Sequence, residues 1–170
     1  FLDESGINTD MTRRYARAKK NQRAADSTPL NTPATTTILS SIRLDGSCIY
    51  TTYQGGTTAE RFESYLKSDL FPTLSPDDIV VMDNMRSHHA KVVKNLLDEK
   101  HIQYLYLPPY SPDYNPIENM WSKIKANMRK QKVRAADLLP EAIEKAFSSI
   151  HISDLSLIHI SEPTRLDVIS

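Results

Sequence analysis

Residues 78–83 read Asp-Ile-Val-Val-Met-Asp. A short, nearly all-apolar run rich in β-branched side chains predicts a central strand, covered on both faces in a layered α/β domain. Its last residue decides where to look for chemistry. A carboxylate directly after Val80-Val81-Met82 is costly to bury without a partner. Two readings fit Asp83. It ligates a cation at the carboxyl edge of a sheet, where ligand sites form in open α/β sheets, or it caps a turn with Asn84.

Working outward, residues 90–100 predict an amphipathic helix through Val92, Val93, Leu96 and Leu97. Residues 102–107 form a second strand stopped by Pro108-Pro109. Residues 116–130 and 135–150 follow as helices, the latter despite Pro140. Upstream, residues 57–71 carry Ala59, Phe62, Tyr65, Leu66 and Leu70 at helical spacing behind Thr58 as N-cap. Two β-rich runs, 35–44 and 47–53, flank Asp45-Gly46, a hairpin signal, and Gly55-Gly56 ends the second. Phe1-Leu2-Asp3 reads as the end of a strand whose beginning is missing, placing Asp3 at a carboxyl end. The order is three strands, then helix, strand, helix, strand, helix. It predicts a mixed central sheet with helices on both faces, and an RNase H-like arrangement is the best match. Order alone leaves other α/β folds open.

The 170 residues suit one domain, and 39% hydrophobic with 25% charged residues is globular composition. No apolar stretch approaches the roughly 20 residues of a membrane span. Cys48 is the only cysteine, so it cannot pair within the chain, which points to a reducing compartment. Residues 155–165, LSLIHISEPTR, resemble the conceptual translation of a sequencing-library adapter joined to a transposon end. The natural domain is therefore expected over 1–154, truncated at its N-terminus, with 155–170 a non-native tail. Net charge over the whole chain is zero, with 21 basic and 21 acidic residues, but the distribution is uneven. Residues 9–33 concentrate Arg13, Arg14, Arg17, Lys19, Lys20 and Arg23 against Asp10 and Asp26.

A third carboxylate, Glu118, lies in YSPDYNPIENMW. One reading is local: Asn115 as N-cap, Pro116 at N1 and Glu118 at N3 make a capping box. Glu118 also projects from a first helical turn towards whatever the preceding loop faces. Ile117, Trp121, Ile124 and Met128 form an apolar stripe that should pack on the sheet, with Trp121 read as core rather than as a base-stacking residue. Beside it run Glu118, Ser122, Lys125 and Arg129. Residues 119–134 hold six Lys/Arg, including Lys130, and no acid. Either this is a solvated basic face, or cations flank a phosphodiester next to an acidic metal site. Asp113 reads as a loop organiser. Neither a Cys/His cluster nor a Gly-rich phosphate loop is present in the sequence.

Together, FLDESG, VVMDN with His88 five residues after Asp83, and LPPYSPDYNPIENMW resemble the catalytic core of DDE transposases. The closest group is the mariner-like superfamily with its bacterial insertion-sequence relatives. Residues 84–117, 34 in all, separate Asp83 from Glu118, a spacing typical of that superfamily. The resemblance implies an RNase H-like fold in which Asp3, Asp83 and Glu118 are catalytic and bind two Mg2+ ions, with Mn2+ as a substitute. It implies a polynucleotidyl transferase and endonuclease that cleaves transposon ends and joins the 3′-OH to target DNA, usually at TA. It further implies a homodimer at full length, no membrane association, and a bacterial, nucleoid-associated cytoplasmic location. Asn84, Asn115 and Trp121 are expected to support the site. Arg13, Arg14, Lys19, Lys20, His88, Lys125, Arg129 and Lys130 are expected at DNA, while His89 stands where relatives often have lysine. Two alternatives are carried alongside: a non-catalytic DNA-binding or assembly remnant, and an RNase H-like nuclease without strand transfer.

Overall fold

A computed structural model of the chain describes residues 1–12, 15, 17–25, 35–109, 111 and 114–151. The expected tail at 155–170 lies outside them. The elements are β1 (Leu2–Ile7), β2 (Thr36–Ile42), β3 (Cys48–Gln54), α1 (Ala59–Tyr65), β4 (Ile79–Met82), α2 (Lys91–Glu99), β5 (Gln103–Tyr106), α3 (Ile117–Gln131) and α4 (Leu139–Ser148). One five-stranded sheet has the order β3-β2-β1-β4-β5. β1–β2 and β2–β3 are antiparallel, while β1–β4 and β4–β5 are parallel. This is the mixed, RNase H-like sheet that the element order predicts.

Local chemistry explains the connections. Gly46 closes the β2–β3 hairpin at φ 88°, its N–H donating to the Arg43 carbonyl at 3.0 Å. Asp45 Oδ1 accepts from the Ser47 N–H at 2.8 Å, completing the turn. Thr58 caps α1, its hydroxyl accepting from the Arg61 N–H at 3.3 Å. The chain then continues through a wider turn at Leu66–Leu70 and a tight one at Phe71–Thr73. Pro140 sits in the first turn of α4, where its missing N–H costs nothing.

Two expectations are corrected. Asp3 does not end its strand: β1 runs on to Ile7, and Asp3 is its second residue. Antiparallel pairing with β2 from Leu2↔Ser41 to Ile7↔Thr36 carries the strand past Glu4 and Ser5, whose polarity disguises it. Nor is β4 covered on both faces. Val80 and Met82 are buried, but Ile79 is 55% exposed and Leu105, beside Val81 on β5, is 57% exposed. The cause is helix placement. α1 and α2 join a core with Leu2, Leu39, Val80 and Met82 on one face. On the other, α3 and α4 bury Ile7, Ile38 and Ile42 of β1 and β2, and no residue of β4 or β5 enters that cluster.

Strand parity then sets the site. Asp3, Ser5 and Ile7 alternate onto the α3 face of β1, and Ile7 packs in one cluster with Trp121. Leu2 pairs with Met82, so Asp3 and Asp83 follow side by side on parallel neighbours. β4 stops at Met82 while β1 continues, and the carboxyl end of β4 opens beside Asp3.

Candidate active site

Three elements converge on a cavity of about 420 Å³ at that opening. It is lined by Asp3 from β1, by Asp83, Asn84 and Met85 after β4, by Leu107, Pro108, Pro109, Ser111 and Asn115 after β5, and by Glu118 from α3. All three carboxylates singled out in the sequence face one space. A larger cleft, of about 980 Å³, lies at the other end of β4 and β5. Asp78 in that cleft is held below the ordinary carboxylate range by the Ser75 N–H and Arg43, which marks an ordinary ion pair.

Asp3 is buried, and its carboxyl is pushed up to about 6. Burial is the main cause; the Glu118 and Asp83 charges add to it, while the Glu4 N–H and the Trp121 indole oppose it. Trp121 Nε1–H donates to Asp3 Oδ2 at 3.1 Å across 118 residues of chain. Trp121 is thus core, as expected, and also a partner of the site.

Asp83 behaves in the opposite way. Burial works against its charge, but His88 and the Met85 N–H outweigh burial and hold it below the ordinary range. His88 Nδ1 lies 2.7 Å from Asp83 Oδ1, and the Met85 N–H donates to the same oxygen at 3.1 Å. The turn-capping reading of Asp83 is therefore correct, and it coexists with a place in the cavity. His88 is 0% exposed. Its expected contact with DNA is corrected: a ring enclosed on Phe62, with centroids 4.2 Å apart, cannot reach a phosphate.

Asn84 turns outward to a different task. Its amide donates to the Leu107 carbonyl, tying the two loops of the cavity together, while its Oδ1 lies 2.8 Å from His89 Nε2. His89 stacks on Tyr106 at 4.0 Å. The capping box at Glu118 is not formed. α3 starts at Ile117 behind Pro116 with no side-chain cap, and only the Asn115 carbonyl accepts from the Glu118 N–H, at 3.1 Å. Asn115 is buried at the cavity wall, and among the described residues its Oδ1 has no hydrogen-bond partner. Glu118 itself is exposed at the rim of the cavity.

The apolar stripe of α3 is fully inward, Ile117, Trp121, Ile124 and Met128 all being buried together with Met120. Lys130 is exposed, and Lys125 and Arg129 are half-buried, two and three turns further along α3 than Glu118. Lys19 and Lys20 are exposed; Arg13, Arg14 and Asp113 lie outside the described residues. Arg134 donates to the Thr9 and Met11 carbonyls at 3.0 and 3.1 Å, holding the segment after β1.

The chemistry of this donor set is that of hard oxygen ligands around a site rich in negative charge, which suits a divalent cation. Among the described residues, no three His, Cys, Asp or Glu side chains already stand at ligand spacing. The reason is visible: Asp3 and Asp83 are each turned to an internal donor, and Glu118 is turned to solvent. Sequence reasoning named Asn84 and Asn115 of the cavity loops but missed Met85, Leu107, Pro108, Pro109 and Ser111, and the indole bond. Parity on β1 was the available signal, because Asp3 and Ile7 share a face and Ile7 meets the Trp121 stripe.

A family model described as DDE superfamily endonuclease matches residues 1–139. The Tcb2 transposase of Caenorhabditis briggsae is 25% identical over 112 residues, covering 64% of this chain and 41% of the relative. The Tc1 transposase of Caenorhabditis elegans is 24% identical over 108 residues, covering 64% and 40%. Among solved structures, a Mos1 transposase paired-end complex with left transposon end superposes with a TM-score of 0.75 at 20% identity, covering 91% of this chain and 48% of that one. A mariner Mos1 paired-end complex with Mg gives 0.66 at 19% identity, covering 91% and 50%. The chain thus spans less than half the length of the curated relatives it matches.

Proposed function

The chain belongs to the DDE superfamily endonucleases, and from that premise we propose that it is the catalytic core of a DNA transposase, with Asp3, Asp83 and Glu118 as its catalytic carboxylates. The observation that carries this reading is their convergence on one cavity at the end of β4. Asp3, Asp83 and Glu118 would hold two Mg2+ ions, for which Mn2+ substitutes. Bound there, the ions would stabilise charge on the attacking and leaving oxygens of a phosphodiester.

The chain's own residues prepare that chemistry. Asp83 is kept ionised by His88 and the Met85 N–H, ready to bind a cation. Asp3, disfavoured as an anion by burial and by its two neighbours, gains most from a positive charge. Glu118, exposed on the first turn of α3, is the arm with freedom to complete the set. Leu107, Pro108 and Pro109 wall the cavity with apolar surface and strengthen electrostatics inside it. Lys125, Arg129 and Lys130 extend from it along α3, where they would follow the flanking phosphates; Lys19 and Lys20 offer a second basic segment.

In this reading water would attack a phosphodiester at the element end, leaving a 3′-hydroxyl and a 5′-phosphate. That 3′-hydroxyl would then attack a target phosphodiester in the same site, joining element to target and releasing a target 3′-hydroxyl. The full protein would act as a homodimer on transposon ends and TA-containing targets. The test is strand transfer with the element's own ends, by a protein carrying this domain at the length of its relatives. Glu118→Gln is expected to lower the rate at least ~1,000-fold, the several kcal/mol attached to cation-assisted charge stabilisation. Unchanged activity would remove Glu118 from the catalytic set.

A further inference from the structure

Building on the carboxylate site proposed above, we infer that Trp121 is a positioning residue for the cation site, its indole N–H fixing the Asp3 carboxylate. The bond Trp121 Nε1–H to Asp3 Oδ2 is 3.1 Å long and buried. Trp121 is 2% exposed, and Phe147 of α4 lies edge-on to it at 6.4 Å, at 90° between the rings. Trp121 belongs to a cluster that also holds Ile7, Ile38, Ile124 and Ile143. An indole enclosed in this way cannot turn without opening the core, so its N–H direction is set by packing. Asp3 lies on the rigid strand β1, between β2 and β4. A fixed donor and a fixed backbone restrict the orientation of the carboxylate, with Oδ2 engaged by the indole in a side chain that lines the cavity.

The placement of the donor adds a second consequence. Trp121 stands one helical turn after Glu118 on α3. One helix therefore supplies a carboxylate of the site and the group that orients another, so the position of α3 sets the relation between them. His88 plays the matching part for Asp83 from the opposite side of the sheet, beside Phe62. Two of the three carboxylates are held by buried ring N–H groups, and the third is the exposed one. Partners of this kind around metal ligands typically contribute 10- to 100-fold in metal affinity.

Trp121 is also the only tryptophan in the chain, so tryptophan emission comes from this indole alone. The experiment is Mn2+ binding to the 170-residue chain, followed by electron paramagnetic resonance of the free ion, together with Trp121 fluorescence during a Mg2+ titration. Trp121→Phe keeps an aromatic ring in the core and removes the donor. It is expected to weaken Mn2+ binding about 10-fold. Phe147→Leu disturbs the same cluster, keeps the donor and is expected to bind Mn2+ as the unaltered chain does. Mg2+ is expected to change Trp121 emission in the unaltered chain and not in Asp3→Asn.

Should Trp121→Phe fail to fold, 3-benzothienylalanine at position 121 preserves the bicyclic shape without the N–H, with the same expectation. Full Mn2+ affinity in the donor-free variant, alongside weak binding by Asp3→Asn, would overturn the role of Trp121 and leave the carboxylate site standing. Equal weakening by Phe147→Leu would likewise reduce Trp121 to core packing. Undiminished binding by Asp3→Asn would overturn both the site and its positioning residue.

Discussion

Asp3 concentrates the cost of this site in one side chain. Its carboxyl titrates at about 6 in the folded chain, against an ordinary value of 3.8. Between those values the folded chain holds a proton that the unfolded chain has released, so stability falls as pH rises through that window. Asp3→Asn is therefore expected to stabilise the chain in chelator at pH 7.5, by up to ~3 kcal/mol for a shift of about two units. The gain should shrink to less than ~1 kcal/mol at about pH 4, where the folded carboxyl is protonated and the unfolded one about half so. Urea unfolding at the two pH values measures this, and a substitution neutral or destabilising at pH 7.5 would contradict it. Excess Mg2+ should close the gap by stabilising the unaltered chain. None of this was legible from FLD in the sequence. The three carboxylates that line the cavity were visible there, because they sit in recognisable motifs, but the burial of Asp3 depends on α3, more than a hundred residues away.

The helix α3 has a buried apolar stripe and a neighbouring polar one, and substitutions should separate packing from the DNA contacts proposed above. Ile124→Ala removes a fully buried side chain from the cluster under the sheet. It is expected to cost ~3 kcal/mol, seen as a lower urea midpoint. Lys125→Ala lies on the neighbouring stripe and should change stability by less than ~0.5 kcal/mol. It should instead weaken DNA binding and lower the salt slope by about one. Equal effects of the two on unfolding would deny the division. The 3.6-residue period of Ile117, Trp121, Ile124 and Met128 made this helix legible in sequence. Its start was not, since Asn-Pro-Ile-Glu fits a capping box as well as the uncapped start observed. Only tertiary packing chose between them, by burying Asn115 in the cavity wall.

At the scale of the molecule, zero net charge conceals an acidic cavity and, elsewhere in the sequence, basic segments. Binding of this chain to DNA is accordingly expected to be sequence-independent and salt-sensitive, falling at least about tenfold between 50 and 200 mM salt. Affinity flat over that range would exclude a phosphate-led interface. Short-range patterns determined much by themselves: Asp-Gly at the hairpin, Thr58 at a helix start, the alternation of strands and helices, and three acidic motifs whose spacing indicates the family. These are local because period, turn chemistry and capping act within a few residues. The tertiary structure alone decided the rest. Pairing with β2 extended β1 past Asp3, helix placement left Ile79 and Leu105 exposed, and core packing enclosed His88 and aimed the Trp121 indole at a carboxylate. Those outcomes depend on which distant surfaces exclude water from one another, and no local period records that.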